Sequence, residues 1–202
     1  MKALGKGSIA SWVQLGLAVA WWFLWFVAVV MVLAAIGYGA LLVLIQNGVV
    51  DANVLTGGDG QVQLGDSGGG TFSITYDEAG GATWPVMVPT FLIGAVAVTG
   101  SLIIVWHLRR LFESFTSGEP FRRENAGHLR VIWITMLAIE VARLVLGGVT
   151  IGLLSAFGEP NTDVQLSFEG DPGTWGSILI LICLAEVFRE GARLKEEQEL
   201  TI

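Results

Sequence analysis

Residues 12–46, WVQLGLAVAWWFLWFVAVVMVLAAIGYGALLVLIQ, contain no charged side chain. A helix that crosses a bilayer needs about 20 mostly apolar residues. As one helix this stretch would be roughly 52 Å long, against a hydrocarbon core of about 30 Å. We therefore predict an uncleaved membrane span over about residues 15–46, which is strongly tilted or begins with an interfacial turn. We expect Trp21, Trp22 and Trp25 to mark the cytoplasmic headgroup level.

The overall composition is that of an integral membrane protein. Hydrophobic residues make up 53% of the 202 residues and charged residues only 14%, whereas soluble chains carry about 25% charged residues. Further apolar stretches follow the first, so we predict an all-α membrane fold with four transmembrane helices, at about residues 15–46, 86–112, 129–156 and 174–194. We expect one multi-pass membrane domain over residues 1–202.

The basic residues predict the orientation of these helices. All of the 11 Lys and Arg residues except Arg143 lie in the N-terminus, the connection at 113–128, the tail at 195–202, or the adjoining helix ends. The connections 47–85 and 157–173 contain acidic residues but no basic ones. By the positive-inside rule, both termini and the 113–128 connection are cytoplasmic, and 47–85 and 157–173 are outer loops.

The outer loops carry a strand pattern. Polar and apolar side chains alternate over Gln61–Leu64 and Thr71–Tyr76, with turn residues between them, which predicts a β-hairpin. The stretch at 163–168 alternates in the same way. We therefore expect a small β-hairpin-like cap outside the membrane, to which the second outer loop adds a third strand. The glycines at 57–60 lack calcium-loop spacing, so we interpret them as turn residues.

The cytoplasmic connection carries signals that end one helix and begin the next. Gly118 followed by Pro120 is typical of a helix C-terminus, and Asn125 is suited to be the N-cap of the third helix. The fourth span likewise continues into a charged helical tail. The order helix, outer loop, helix therefore occurs twice, as a duplication would produce.

Four charged residues at membrane depth are candidates for a functional site. Glu140 and Arg143 lie in the third span, and Glu186 and Arg189 lie in the fourth. Charges inside a membrane are costly and occur mostly where they pair or function. Because consecutive spans are antiparallel, we expect Arg143 to meet Glu186 and Glu140 to meet Arg189. A buried clamp, a switch and an ion or proton path are all consistent with this arrangement.

The composition argues against several other activities. A pI near 4.7 and a net charge of −7 argue against direct nucleic-acid binding, which needs a basic face. The single cysteine, Cys183, excludes a disulfide framework, and His107 and His128 form no metal-binding motif. No nucleophile motif occurs. We predict no catalytic residues, no metal, no cofactor and no enzyme activity.

Two stretches of the predicted cytoplasmic regions are distinctive. One is LAEVFREGARL at 184–194, followed by EQELTI at 197–202. The other is F-x-x-G-x-P-F-x-x-x-N, formed by Phe115, Gly118, Pro120, Phe121 and Asn125 and followed by Leu129 and Arg130. Both are similar to motifs of a bacterial membrane protein family of unknown function, number 2975, whose layout the chain resembles from end to end.

This resemblance implies four helices with cytoplasmic termini in the bacterial cytoplasmic (inner) membrane. Members are often encoded beside a small helix-turn-helix regulator, so the resemblance implies a membrane partner that holds or releases such a regulator. It brings no catalytic residues with it. We expect the interaction surface on the cytoplasmic side, at Arg109, Arg110, Phe115, Gly118, Pro120, Phe121, Asn125, Arg130, Glu190, Gly191, Arg193 and Leu194.

These observations favour a membrane-embedded regulatory or sensory protein of unidentified signal. A plain topological anchor would carry the same charged helix ends. The alternative from another class is a small transporter or channel subunit that forms a homo-oligomer in the lipid bilayer. Glycines in the spans would then allow close helix contacts; they are Gly37, Gly39, Gly94, Gly100, Gly147 and Gly148.

Overall fold

The structure, a computed structural model, describes residues 9–50, 60–64, 72–76, 84–116, 123–157 and 172–199. In chain order the elements are helix α1 (Ile9–Gln46), strands β1 (Gly60–Leu64) and β2 (Phe72–Tyr76), and helices α2 (Trp84–Thr116), α3 (Arg123–Phe157) and α4 (Pro172–Glu199). Each helix begins before its predicted span and ends at or beyond it, because the polar residues next to the apolar stretches still favour helix.

Within the described ranges, three helices are long and apolar enough to cross a membrane. They are Trp12–Gln46 of α1, Met87–Phe115 of α2 and Glu124–Phe157 of α3. Helix α4 does not meet the same criterion, because its uncharged part ends at Ala185 and Glu186, Arg189 and Glu190 follow. The fourth crossing and the cytoplasmic position of both termini therefore stay predictions.

Large apolar side chains are exposed along the helices. Trp22 and Phe26 of α1 are 74% and 65% exposed, and Leu179 and Ile180 of α4 are 63% and 67% exposed. Apolar surface of this extent is unfavourable in water but favourable against lipid. It agrees with a multi-pass membrane protein, and α4 shares this character with the longer helices.

Helix α1 ends at Gln46, where the predicted span ends. Gly48 adopts a φ of 69°, in the left-handed region. Its N–H donates to the Ile45 carbonyl, and the Val49 N–H donates to the Leu44 carbonyl, each at 3.0 Å. This is the pair of bonds of a Schellman motif, which satisfies helix-end carbonyls and favours glycine at the left-handed position.

Strands β1 and β2 form a two-stranded antiparallel sheet, with Gly60 opposite Tyr76 and Leu64 opposite Phe72. They lie where the alternating pattern predicted two strands. The predicted third strand at 163–168 is outside the described residues. The arrangement of the hairpin as a cap over the membrane helices stays a prediction.

The chain divides into two compact units. The first comprises Met1–Phe26, Val98–Ile139 and Trp175–Ile202. In this unit a Cβ atom at Gly100 of α2 would lie 2.4 Å from Cδ1 of Ile139 on α3, so the missing side chain lets the two helices approach closely. Its buried apolar side chains come from α2, α3 and α4, and are Leu111, Leu129, Ile132, Ile178 and Ala192.

The second unit comprises Val27–Ala97 and Glu140–Thr174. The ring centroids of Tyr38 on α1 and Phe91 on α2 lie 5.9 Å apart, and a Cβ atom at Gly94 of α2 would lie 3.0 Å from the sulfur of Met31 on α1. Gly94 and Gly100 thus make close helix contacts within the chain. By contrast, a Cβ atom at Gly37, Gly39 or Gly148 would meet no atom within 4 Å.

Candidate functional site

A buried hydrogen bond joins the end of α2 to the start of α3. Asn125 is 1% exposed, and its Nδ2 donates to Oγ of Ser114 over 2.7 Å. Helix α3 begins at Arg123, so Asn125 lies inside its first turn and the prediction that it is the N-cap is wrong. Its amide donates to Ser114 at the end of α2 instead.

An aromatic contact fixes α4 to the same end of the unit. The rings of Phe115 and Phe188 are stacked, with centroids 5.8 Å apart and planes inclined by 22°. Phe112 packs edge-on against Phe115 at 5.8 Å. The hydrogen bond and the aromatic cluster therefore both contribute to joining the end of α2 to the start of α3 and to the middle of α4.

His107 of α2 and His128 of α3 are in direct contact, with their Nδ1 atoms 3.0 Å apart. Trp106 packs edge-on against both rings, with centroid distances of 4.6 Å and 6.3 Å. A hydrogen bond between two Nδ1 atoms needs one protonated donor and one unprotonated acceptor. The contact is therefore compatible with one imidazolium ring but not with two.

Arg109 and Arg110 contact aromatic rings at the basic end of α2. The guanidinium of Arg109 lies 5.9 Å from the ring centroid of Trp21 on α1, and that of Arg110 lies 5.5 Å from that of Trp106. Arg110 also forms an exposed ion pair with Glu113 at 3.8 Å. Trp21 thus lies level with the basic end of α2, as expected for a residue at the headgroup level.

The four charges predicted at membrane depth form two ion pairs, each within one helix. Nη2 of Arg143 lies 2.6 Å from Oε2 of Glu140 on α3, and both residues are buried. Arg189 pairs with Glu186 on α4, where both side chains are exposed. Each arginine follows its glutamate by one helical turn, which puts the pair on one face. The predicted contacts between Arg143 and Glu186 and between Glu140 and Arg189 stay predictions.

Helix α4 continues as a charged helix to Glu199. Arg193 forms ion pairs at 3.2 Å with both Glu190 and Glu197. Ala192 is buried, whereas Leu194 is 50% exposed. This part of α4 therefore packs through Ala192, whereas Leu194 is an exposed apolar side chain among charged residues.

The remaining residues of the predicted cytoplasmic surface differ in how far the structure describes them. Arg130 is exposed on α3, and Gly191 is half-buried beside Ala192 on α4. Gly118, Pro120 and Phe121 lie outside the described residues.

Two contacts were not predicted from the sequence: the one between His107 and His128 and the hydrogen bond between Ser114 and Asn125. Both contacts join residues on opposite sides of the short connection between α2 and α3. An antiparallel helical hairpin brings together residues at similar sequence distances on either side of its turn. Ser114 and Asn125 are each three residues from the connection at 117–122, so this symmetry could have placed them together. His107 and His128 are ten and six residues from it, so the same symmetry would not have paired them.

The chemistry of these side chains is that of ion pairs, hydrogen bonds and proton uptake. In the part of the chain that the structure describes, no group of three or more His, Cys, Asp or Glu residues is arranged to hold a metal ion.

Comparison with known proteins agrees with the resemblance carried by the two motifs at 115–125 and 184–202. Residues 72–202 match a family described as "Protein of unknown function (DUF2975)". The match covers more than half of the chain and includes β2, α2, α3 and α4. No curated protein and no solved structure matches the chain. By this match the chain belongs to the DUF2975 family of proteins of unknown function.

Proposed function

We propose that the protein is a membrane-embedded regulatory or sensory protein that binds a small helix-turn-helix transcription regulator at its cytoplasmic face. The observation that carries this proposal is the C-terminal part of α4, a charged helix on which Leu194 is exposed. The kind of partner comes from the resemblance to the family, whose members are often encoded beside such a regulator.

The surface around Leu194 has the chemistry of a protein-binding site. An exposed apolar side chain contributes affinity, and charges held in fixed positions contribute specificity. Arg193 is such a charge, because Glu190 and Glu197 both contact it. The acidic residues around Leu194 would repel anionic lipid headgroups, so this surface is better suited to bind a protein.

The charge of this surface complements a DNA-binding partner. In residues 190–202 the acids Glu190, Glu196, Glu197 and Glu199 outnumber the bases Arg193 and Lys195. DNA-binding domains carry a basic face. A regulator bound through that face could not contact DNA with it, so release from the membrane would permit DNA binding.

Phe188, just before the charged end of α4, connects that end to the other helices. Phe188 stacks on Phe115 at the end of α2, and Ser114 beside it bonds to Asn125 of α3. A change in how these helices pack would therefore move the segment that carries Leu194.

Co-purification tests the proposal. The tagged full-length protein is extracted from membranes together with a helix-turn-helix regulator encoded beside its gene, and recovery of the regulator is measured. We expect Leu194→Asp and deletion of residues 190–202 to abolish recovery. Leu179→Ala, which changes an exposed leucine in the apolar part of α4, is the matched control and should leave recovery unchanged.

Two results would count against the proposal. One is the absence of any such regulator in the wild-type complex, and the other is recovery that does not depend on the tail. Ion flux through the purified protein in liposomes would favour the alternative, a small oligomeric transporter or channel subunit.

A further inference from the structure

Helices α3 and α4 flank a groove of about 780 Å³ in the first unit. Small residues leave this space open: Ala126 and Gly127 on α3, and Ala185 on α4. A Cβ atom added at Gly127 would meet no atom within 4 Å. The groove is therefore wide because the helices carry small side chains there.

The polarity of the groove changes along its length. Trp133 and Ile182 line one part, next to the uncharged stretches at 131–139 of α3 and 172–185 of α4. Arg130, Arg189 and Arg193 line the other part, together with Glu186 and Glu190. The groove therefore lies across the boundary between the apolar segments and the charged helix ends. A phospholipid likewise has an apolar part, its acyl chains, next to a charged part, its headgroup.

The charges in the groove favour an anion. Glu186 pairs with Arg189 and Glu190 pairs with Arg193, so these four charges compensate one another. Arg130 is exposed, and no carboxylate of the described residues forms an ion pair with it. An arginine can hold a phosphate through two parallel hydrogen bonds.

The position of Trp133 supports a ligand with an apolar part. It follows Arg130 by three residues on α3, so the two side chains share one face of the helix. Tryptophan is enriched at the level where headgroups meet acyl chains. Basic pockets between membrane helices recognise lipid headgroups by this combination.

We propose that the groove between α3 and α4 is a binding site for an anionic phospholipid, whose phosphate contacts Arg130 and whose acyl chain lies against Trp133 and Ile182. The proposal goes beyond the regulator-binding function and does not depend on it. Glu190 and Arg193 line the groove and also lie beside Leu194, but the phosphate is held by Arg130 and the regulator by Leu194.

Native mass spectrometry of the purified full-length protein tests this site. The protein is mixed with equal amounts of phosphatidylglycerol and phosphatidylcholine, and the lipid that stays bound is measured. We expect the wild type to retain one phosphatidylglycerol in preference to phosphatidylcholine. Arg130→Ala should weaken that retention about tenfold, the usual effect of losing a charged hydrogen bond.

Two variants distinguish lipid binding in the groove from non-specific attraction of the lipid to basic residues. Lys195→Ala removes the same charge outside the groove and should retain phosphatidylglycerol like the wild type. Gly127→Leu fills the open space on α3 and should abolish retention while keeping the charge of Arg130. Gly127→Leu also replaces glycine by a better helix former, so this variant tests the site even if Arg130→Ala fails to fold.

Several outcomes would overturn the proposal. One is equal retention of the two lipids, and another is equal loss in Arg130→Ala and Lys195→Ala. Displacement of bound phosphatidylglycerol by soluble glycerol phosphate at similar concentration would assign the site to a free phosphate compound. If Gly127→Leu abolishes recovery of the regulator but leaves phosphatidylglycerol bound, the groove belongs to the protein partner.

Discussion

At the scale of single residues, the buried ion pair between Glu140 and Arg143 is the feature most sensitive to substitution. Removing either partner leaves a buried charge, so Glu140→Ala and Arg143→Ala should each lower the free energy of unfolding by about 3–5 kcal/mol. Glu140→Met with Arg143→Met should recover most of that loss. Unfolding in detergent micelles measures these values. The exposed pair is the control: Glu186→Ala should cost no more than about 1 kcal/mol.

The same variants test the contact predicted between helices. A double-mutant cycle on Arg143 and Glu140 is compared with one on Arg143 and Glu186. If the ion pair within α3 dominates, the first coupling energy is large and the second is close to zero. Equal couplings would show that Arg143 also meets Glu186, as the antiparallel register predicts. Wild-type stability of Arg143→Ala would contradict both arrangements.

The contact between His107 and His128 predicts a response to acid. A neutral imidazole takes up a proton as the pH falls. Two imidazolium rings cannot share the hydrogen bond between Nδ1 atoms, so the contact is lost once the pH is low enough to protonate both rings. Any stability that the contact contributes is lost in the same direction.

Trp106 reports this change, because its ring packs against both imidazoles. We expect a fluorescence change in the wild type as the pH is lowered from neutral to acid. The change should be absent in Trp106→Phe and reduced in His128→Phe. A change that persists in Trp106→Phe would come from another tryptophan and would contradict the prediction.

At the scale of elements, the approach of α2 to α3 depends on Gly100. A methyl group at this position would lie 2.4 Å from Cδ1 and 2.7 Å from Cγ1 of Ile139. We expect Gly100→Ala to destabilise the protein by about 1–3 kcal/mol, as overpacking does, and Ile139→Ala to compensate for part of it. Gly37→Ala is the control in open space and should stabilise α1 slightly. If Gly100→Ala and Gly37→Ala change the thermal unfolding temperature equally, this packing is contradicted.

At the scale of the whole molecule, the orientation in the membrane is the main prediction. In a Cys183→Ser background, cysteines at Asp59, Asp163 and Gln198 are tested for labelling by an impermeant maleimide on intact cells. We expect labelling at Asp59 and Asp163, and labelling at Gln198 only after the cells are opened. This result requires α4 to cross the membrane. Labelling of Asp163 and Gln198 from the same side would show that α4 does not cross.

The elements of this protein were largely predictable, whereas the partners of its charged and polar residues were not. The apolar runs located all four helices, and the alternating pattern located both strands. Asn125 was misplaced because its type suits an N-cap, while its amide is in fact taken up by Ser114 of another helix. Glu186 and Arg189 pair with each other within α4, where both side chains are exposed, whereas the antiparallel order of the spans had suggested partners on α3.

The membrane character, the positions of the helices and the family of the protein could all be predicted from the amino-acid sequence. These follow from the length of apolar runs and from motifs of neighbouring residues, which are local properties of the chain. The contacts of His107 with His128 and of Ser114 with Asn125, and the position of Arg130 in a groove, became visible only in the folded chain. Such contacts depend on the rotation and register of helices against one another, which packing between distant segments sets.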